Sequence, residues 1–264
     1  MQKAYVCFSF DDGRIDNYTI AYPILKKYQL PATFNITTGY VEGKFQKGRL
    51  TYADPMNMQM VTELFHDHHL EIAGHGYWHM NTVEDIAQGI TELKYHLNAP
   101  EGAINGFASP GTGLDMSYYH EHKQELSDYG IEYIRLSLRY LSNRHIKTFI
   151  RKVSRVLSFP MLYRLAYQDT LMDTVEDGIV YSVPVLSSIS VSQLKALISY
   201  AIKHKKVCIL MLHSIVEDGM VRDNWDYEKS KFESFCHYLS VMQQQEQMEV
   251  VTSQKAYELL KTRK

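Results

Sequence analysis

Cysteine is scarce in this chain of 264 residues. There are three, Cys7, Cys208 and Cys236, widely separated and without a CxxC spacing. An odd count so dispersed argues against a disulfide framework, and the apolar runs around Cys7 and Cys208 predict reduced, packed thiols. No apolar stretch reaches the roughly 18 residues expected of a membrane-spanning helix. Charge of one sign is lacking too. The net charge is −2, which argues against electrostatic binding of nucleic acid by the chain as a whole. Internal repeats and low-complexity tracts are absent, so a single domain over residues 1–264 is expected. No room is left for a secretory h-region ahead of the first strand-like run, and the expected location is cytoplasmic.

What is present is an alternating pattern. Apolar segments of strand length, AYVCFSF, PATFNIT, LEIAGH, AINGFA, IEYIRL, IVYSVPV and VCILMLH, are separated by stretches of helical period. The latter include Asn17–Tyr28, Met56–His68, Val83–Leu97, Met116–Tyr129 and Val191–Lys203. Near-continuous apolar strands imply burial on both faces. Strand–helix alternation over this length predicts an α/β fold with a parallel sheet, open or closed into a barrel.

The rhythm breaks between Arg135 and Gln168. This stretch holds eight Lys/Arg and no Asp/Glu in a chain of net charge −2, so the remainder carries −10. Ile146, Phe149, Ile150, Val153, Val156 and Leu157 fall on one helical face, and Arg144, Lys147, Arg151, Lys152 and Arg155 largely on the other. The expectation is a basic helical insertion at about 138–170 whose apolar face packs on the domain while its basic face is solvated. Peripheral contact of helix 144–158 with an anionic membrane or an acidic partner is the alternative.

Chemistry in parallel α/β folds gathers at the carboxyl ends of strands. Those ends carry Asp11-Asp12-Gly13, His75-Gly76-Tyr77-Trp78-His79, Ser109-Pro110-Gly111 and His213. Each has a dull explanation alone: a turn, surface histidines, a core histidine. Together they offer two histidines and a carboxylate as a metal set with open positions, a second carboxylate as base, and a separate histidine as proton donor.

In these motifs the chain resembles the polysaccharide deacetylases of carbohydrate esterase family 4, the NodB-homology domain. Phe8-Ser9-Phe10-Asp11-Asp12-Gly13 resembles the family's first motif and His75 to His79 its second. Phe107 to Gly113 is similar to the third, and Leu210-Met211-Leu212-His213-Ser214 to the last. The resemblance implies a distorted, seven-stranded (β/α) barrel that hydrolyses N-acetyl groups of an amino sugar or N-acetylated glycan, with surface polysaccharide biosynthesis as the expected setting. It implies Asp12, His75 and His79 as ligands of a divalent metal, Zn2+ first and other divalent transition metals after it. Asp11 would be the general base, His213 the general acid, and the Gly111 backbone N–H an oxyanion donor. Trp78 and Pro110 are expected against the substrate, and Trp225 could reach the rim.

Three positions depart from the family pattern. Ala108 stands where an arginine commonly holds the base, so either the Asp11 pKa rises or another arginine substitutes. Gly111 replaces a common tyrosine and should open the pocket floor. Gly76 replaces a Ser/Thr whose hydroxyl would brace the second-motif loop. No aspartate orienting His213 is evident; Asp173 and Asp177 are candidates nearby in sequence. His66-Asp67-His68-His69 and His120-Glu121-His122 are expected to be structural, because neighbours on a helix point apart. Two other readings stay open: hydrolysis of another small linear or cyclic amide, and a carbohydrate-binding relative without catalysis.

Overall fold

The structure, a computed structural model, describes residues 3–46, 48–139 and 144–263, with Arg144 described by its backbone alone. Seven strands run parallel: β1 (Ala4–Phe10), β2 (Ala32–Ile36), β3 (Leu70–Gly74), β4 (Gly106–Ala108), β5 (Tyr133–Ser137), β6 (Ile179–Pro184) and β7 (Val207–Leu212). Each pairs with the next, and β7 pairs back on β1 from Tyr5↔Val207 to Phe10↔Leu212, which closes the sheet into the seven-stranded barrel. A two-stranded sheet, β8 (Ser214–Val216) with β9 (Asp226–Glu228), follows β7. A last strand, β10 (Met248–Val250), lies along the first half of β1, and β2 takes the second half of the same edge.

Helices wrap this barrel: α1 (Tyr22–Tyr28), α2 (Thr38–Val41), α3 (Met58–Phe65), α4 (Val83–Leu97), α5 (Met116–Asp128), α6 (Arg144–Leu157), α7 (Pro160–Tyr167), α8 (Val191–His204), α9 (Lys229–Gln244) and α10 (Ser253–Thr262). Side-chain caps fix several starts. Thr82 accepts from Asp85 N ahead of α4, and Ser190 forms a reciprocal capping box with Gln193 ahead of α8; such a cap contributes about 1 kcal/mol.

Strand alternation divides the interior. On β1, Phe8 and Phe10 point outward onto Phe232 and Phe235 of α9. Cys7 points into the barrel, in a cluster with Tyr133, Val180, Ile209 and Tyr257. All three cysteines are buried and free. On β5, Tyr133 and Arg135 face inward, while Ile134 and Leu136 join the outer core. α10 stops the amino end of the barrel, where the Tyr257 ring lies 5.4 Å from Tyr133. The carboxyl end stays open and carries the site.

The insertion departs from its expected orientation. Its helix turns the basic face inward and the apolar face out. Phe149 is 68% exposed and Val156 82%, and Leu157, Phe159 and Met161 are also exposed, whereas Arg151 and Ser154 are buried. The cause lies in α7, whose last carbonyls have no helical donors. Lys147 Nζ donates to Leu165 O at 2.8 Å and pairs with Asp169, and Arg151 Nε donates to Ala166 O at 3.2 Å with its guanidinium over the Tyr167 ring. Residues 140–143, which lead into the insertion, lie outside the described residues. Among the described residues no helix is long and apolar enough to cross a membrane.

Candidate active site

Adjacent aspartates repel, and here each has its own arginine. Asp11 ends the inward-facing row of β1. Arg135 Nη2 donates to both its oxygens, at 2.8 and 2.7 Å, and Asn35 Nδ2 donates to Oδ1 at 2.8 Å. Asp12 turns away on a left-handed backbone (φ 77°). Arg14 clamps its Oδ2 through Nε at 2.9 Å and Nη2 at 2.8 Å, and anchors itself by Nη1 to Ser214 Oγ. Burial alone would raise the Asp11 carboxyl; Arg135, helped by His75 and His213, outweighs it and holds the pKa below its ordinary value. For Asp12 the neighbouring His75 and His79 rings, with His213 and Arg14 behind them, outweigh burial, and the pKa falls well below the usual range.

Asp12 Oδ1 is left facing the two histidines, with His75 Nε2 at 3.4 Å and His79 Nε2 at 3.5 Å. A tetrahedral ion bound at about 2.1 Å needs donors about 3.4 Å apart, so the three atoms fit one cation. His75 Nδ1 lies 2.7 Å from Ala108 O; a carbonyl only accepts, so Nδ1 carries the proton and Nε2 keeps its lone pair. The loop from His75 to His79 is braced by Asp85 of α4, which accepts from Trp78 N at 2.7 Å and Met80 N at 2.9 Å. This carboxylate substitutes for the missing hydroxyl at Gly76. It also demands glycine there, because a Cβ on Gly76 would sit 2.3 Å from Asp85 Oδ2.

A sequence profile described as polysaccharide deacetylase matches residues 1–133, which include both aspartates, His75, His79 and Gly111. The chain belongs to the polysaccharide deacetylase family. Among curated proteins no sequence matches it. Among solved structures, a peptidoglycan N-acetylglucosamine deacetylase, Bc1960, is 13% identical over 99% of this chain and 91% of its own, with TM-score 0.50. A 4-alpha-glucanotransferase from Thermococcus litoralis is 16% identical over 98% of this chain and 40% of its own, with TM-score 0.55. IcaB from Ammonifex degensii is 23% identical over 48% of this chain and 57% of its own, with TM-score 0.40; the chain thus spans little more than half of that relative's length. The first two likenesses carry the fold alone, and a fold hosts many chemistries.

In this deacetylase-family chain the aspartates, His75, His79, Gly111 and His213 line one cavity of about 370 Å³. His213 Nε2 is 3.9 Å from Asp11 Oδ2, and its ring lies 4.3 Å from that of Trp225, which also lines the cavity. Burial pushes the His213 pKa down to about 4, so the ring is neutral at pH 7. Its Nδ1 is buried without a hydrogen-bond partner among the described residues. Asp173 pairs with Lys206 and Asp177 with Lys123, so neither orients this ring. Gly111 (φ 56°) faces open space where a side chain would stand, as its exchange for tyrosine suggests.

Two expected contacts are misplaced. Trp78 does not line the cavity, because its ring packs 5.5 Å from Phe45 with Arg49 over both. Pro110 is buried beneath the turn, its carbonyl accepting from Asn81. Of the two histidine clusters, His120 and His122 stay apart from any metal-like group among the described residues. Asp67, His68 and His69 come close in the turn after α3, with donors within 4.8 Å of one another. They are largely exposed, and Asp67 Oδ1 accepts from the His69 backbone while Oδ2 accepts from Tyr22. Sequence reasoning missed Arg135, Arg14, Asp85 and Arg155. For Arg135 a signal existed: a lone cation within IEYIRL, on the inward parity of a buried strand, requires a carboxylate partner.

Proposed function

We propose that this chain is a metal-dependent de-N-acetylase acting on an N-acetylated amino sugar or glycan. The observation that carries the reading is the convergence of Asp12 Oδ1, His75 Nε2 and His79 Nε2 beside a second, arginine-held carboxylate. A divalent ion on these donors, zinc by ligand chemistry, would polarise the acetamide carbonyl and acidify the attacking water.

The residues supply the rest. Asp11, ionised against Arg135, accepts the water proton as the water oxygen bonds to the carbonyl carbon. The Gly111 N–H donates to the developing oxyanion, a contribution of roughly 3–4 kcal/mol to the transition state. As the C–N bond breaks, the amine nitrogen takes a proton from His213. Because His213 starts neutral, that proton is the one Asp11 collected, passed across the 3.9 Å gap. Acetate and a free amine result. Trp225 offers an apolar wall in the position first assigned to Trp78. Loss of the third-motif arginine no longer argues for a non-catalytic relative, since Arg135 does that work.

The test is metal analysis with two variants. Asp11→Asn is expected to keep its metal and lose activity by at least about a thousandfold, whereas His75→Ala loses both. An Asp11→Asn protein that comes out metal-free would refute this division of roles.

A further inference from the structure

Helix α6 of the insertion brings a cation to the cavity. Arg155 of α6 lines the cavity together with the ends of β5 and β6, at Ser137 and Pro184, and with the carboxylates of Asp11, Asp12 and Asp223. Its Nε is buried with no hydrogen-bond partner among the described residues, and its Nη2 reaches only Tyr167 Oη, at 3.3 Å. The contrast with the other site arginines is direct. Arg14 is matched to Asp12 and Arg135 to Asp11, whereas Arg155 has no carboxylate partner among the described residues. A partly buried guanidinium without an anion is costly, and its forked donors suit phosphate or carboxylate oxygens.

We infer that the cavity takes an amino sugar bearing an anionic substituent of the phosphate class, and that Arg155 is the specificity residue that binds it. The inference rests on the deacetylase reading for the sugar, but not for the anion. The phosphate could be a simple ester or the link to a lipid carrier. The exposed Phe149, Val156 and Leu157 of the same helix would then meet the carrier's apolar part.

The experiment compares N-acetylglucosamine with N-acetylglucosamine 1-phosphate on the metal-loaded protein. Wild type is expected to favour the phosphorylated sugar at least tenfold in kcat/KM, chiefly through KM. Arg155→Met brings the phosphorylated sugar down to the level of the neutral one, and Arg155→Lys recovers part of the gap. Tyr167→Phe, which removes the Arg155–Tyr167 hydrogen bond, keeps the preference for the phosphorylated sugar. Titration calorimetry of the sugar phosphate onto wild type and Arg155→Met gives the same comparison without turnover, so failure of hydrolysis still leaves the anion site decided. Equal treatment of both sugars by wild type, or equal binding by wild type and Arg155→Met, overturns the inference. A polyprenyl-phosphate-linked N-acetylglucosamine in phosphatidylcholine vesicles separates the sources. Phe149→Ser/Val156→Ser slows its turnover alone if the carrier is lipid, and slows neither substrate if the group is a free ester.

Discussion

Residues 1–133, which match the family profile, and residues 134–264, which do not, divide the site unequally. The first region holds every proposed metal ligand and the base, all in short motifs at strand ends. Arg14 holds Asp12 from within the same region, whereas the cation on Asp11, Arg135, comes from the second, together with His213, Trp225 and Arg155 around the cavity. Ligand geometry must be kept within tenths of an ångström and so is written locally. A compensating charge needs only to be near, and it can come from another strand. The register makes this concrete, because Ala108 of β4 pairs with Arg135 of β5. The arginine expected at residue 108 stands one rung across, still facing the same carboxylate.

The largest effect should come from breaking that exchange. Arg135→Met strands the Asp11 carboxylate in the barrel interior, with an expected loss of about 3–5 kcal/mol in denaturant unfolding and a fall in turnover of about a hundredfold or more. Ala108→Arg combined with Arg135→Met should recover much of both. A single variant as stable and active as wild type would show that Asp11 does not depend on this partner.

The seam between the regions gives the next effect. Asp16 accepts from Ile215 N at 3.0 Å, and burial raises its pKa to about 6. The folded chain therefore holds this proton more tightly than the unfolded chain. Stability from this group is greatest below the ordinary carboxylate pKa near 4 and declines as pH rises towards 6, by at most about 2–3 kcal/mol and less where water reaches the group. Asp16→Asn keeps the acceptor and should flatten that slope in thermal unfolding. An unchanged slope would assign it to other groups.

Metal affinity ranks third. Arg14→Leu releases Asp12 Oδ2, and the ion should bind about 10–100-fold more weakly in a competing-chelator titration. Unaltered affinity would mean that the left-handed turn at Asp12 orients the carboxylate by itself.

The fold and the grouping of Asp12, His75 and His79 were legible because both are periodic or local: the alternation of buried strands, and motifs of five or six residues at their ends. Arg135 and Asp85 were obscure because their partners are 124 and 7 residues away in the chain and meet only when the sheet is in register and the loop is folded. Trp78 was misjudged for a related reason. Standing between His75 and His79 does not set the direction of a side chain when Gly76 and His79 both take positive φ and reverse the loop.

The insertion was misread in orientation, and its test is the subtlest. Amphipathicity identifies two faces and does not say which one meets the protein. An apolar face normally turns inward, because burying it contributes about 25 cal/mol per Å². In α6 the open carbonyls at the end of α7 compete for the basic face instead. If that competition sets the orientation, Arg151→Met should cost about 1–2 kcal/mol by removing a donor from Ala166 O, while Phe149→Ser, at an exposed position, should stay within about 0.5 kcal/mol. The reverse ranking in chemical denaturation would mean that the helix packs in solution by its apolar side. Arg155 would then point away from the cavity, and the second region would lose its hold on substrate choice.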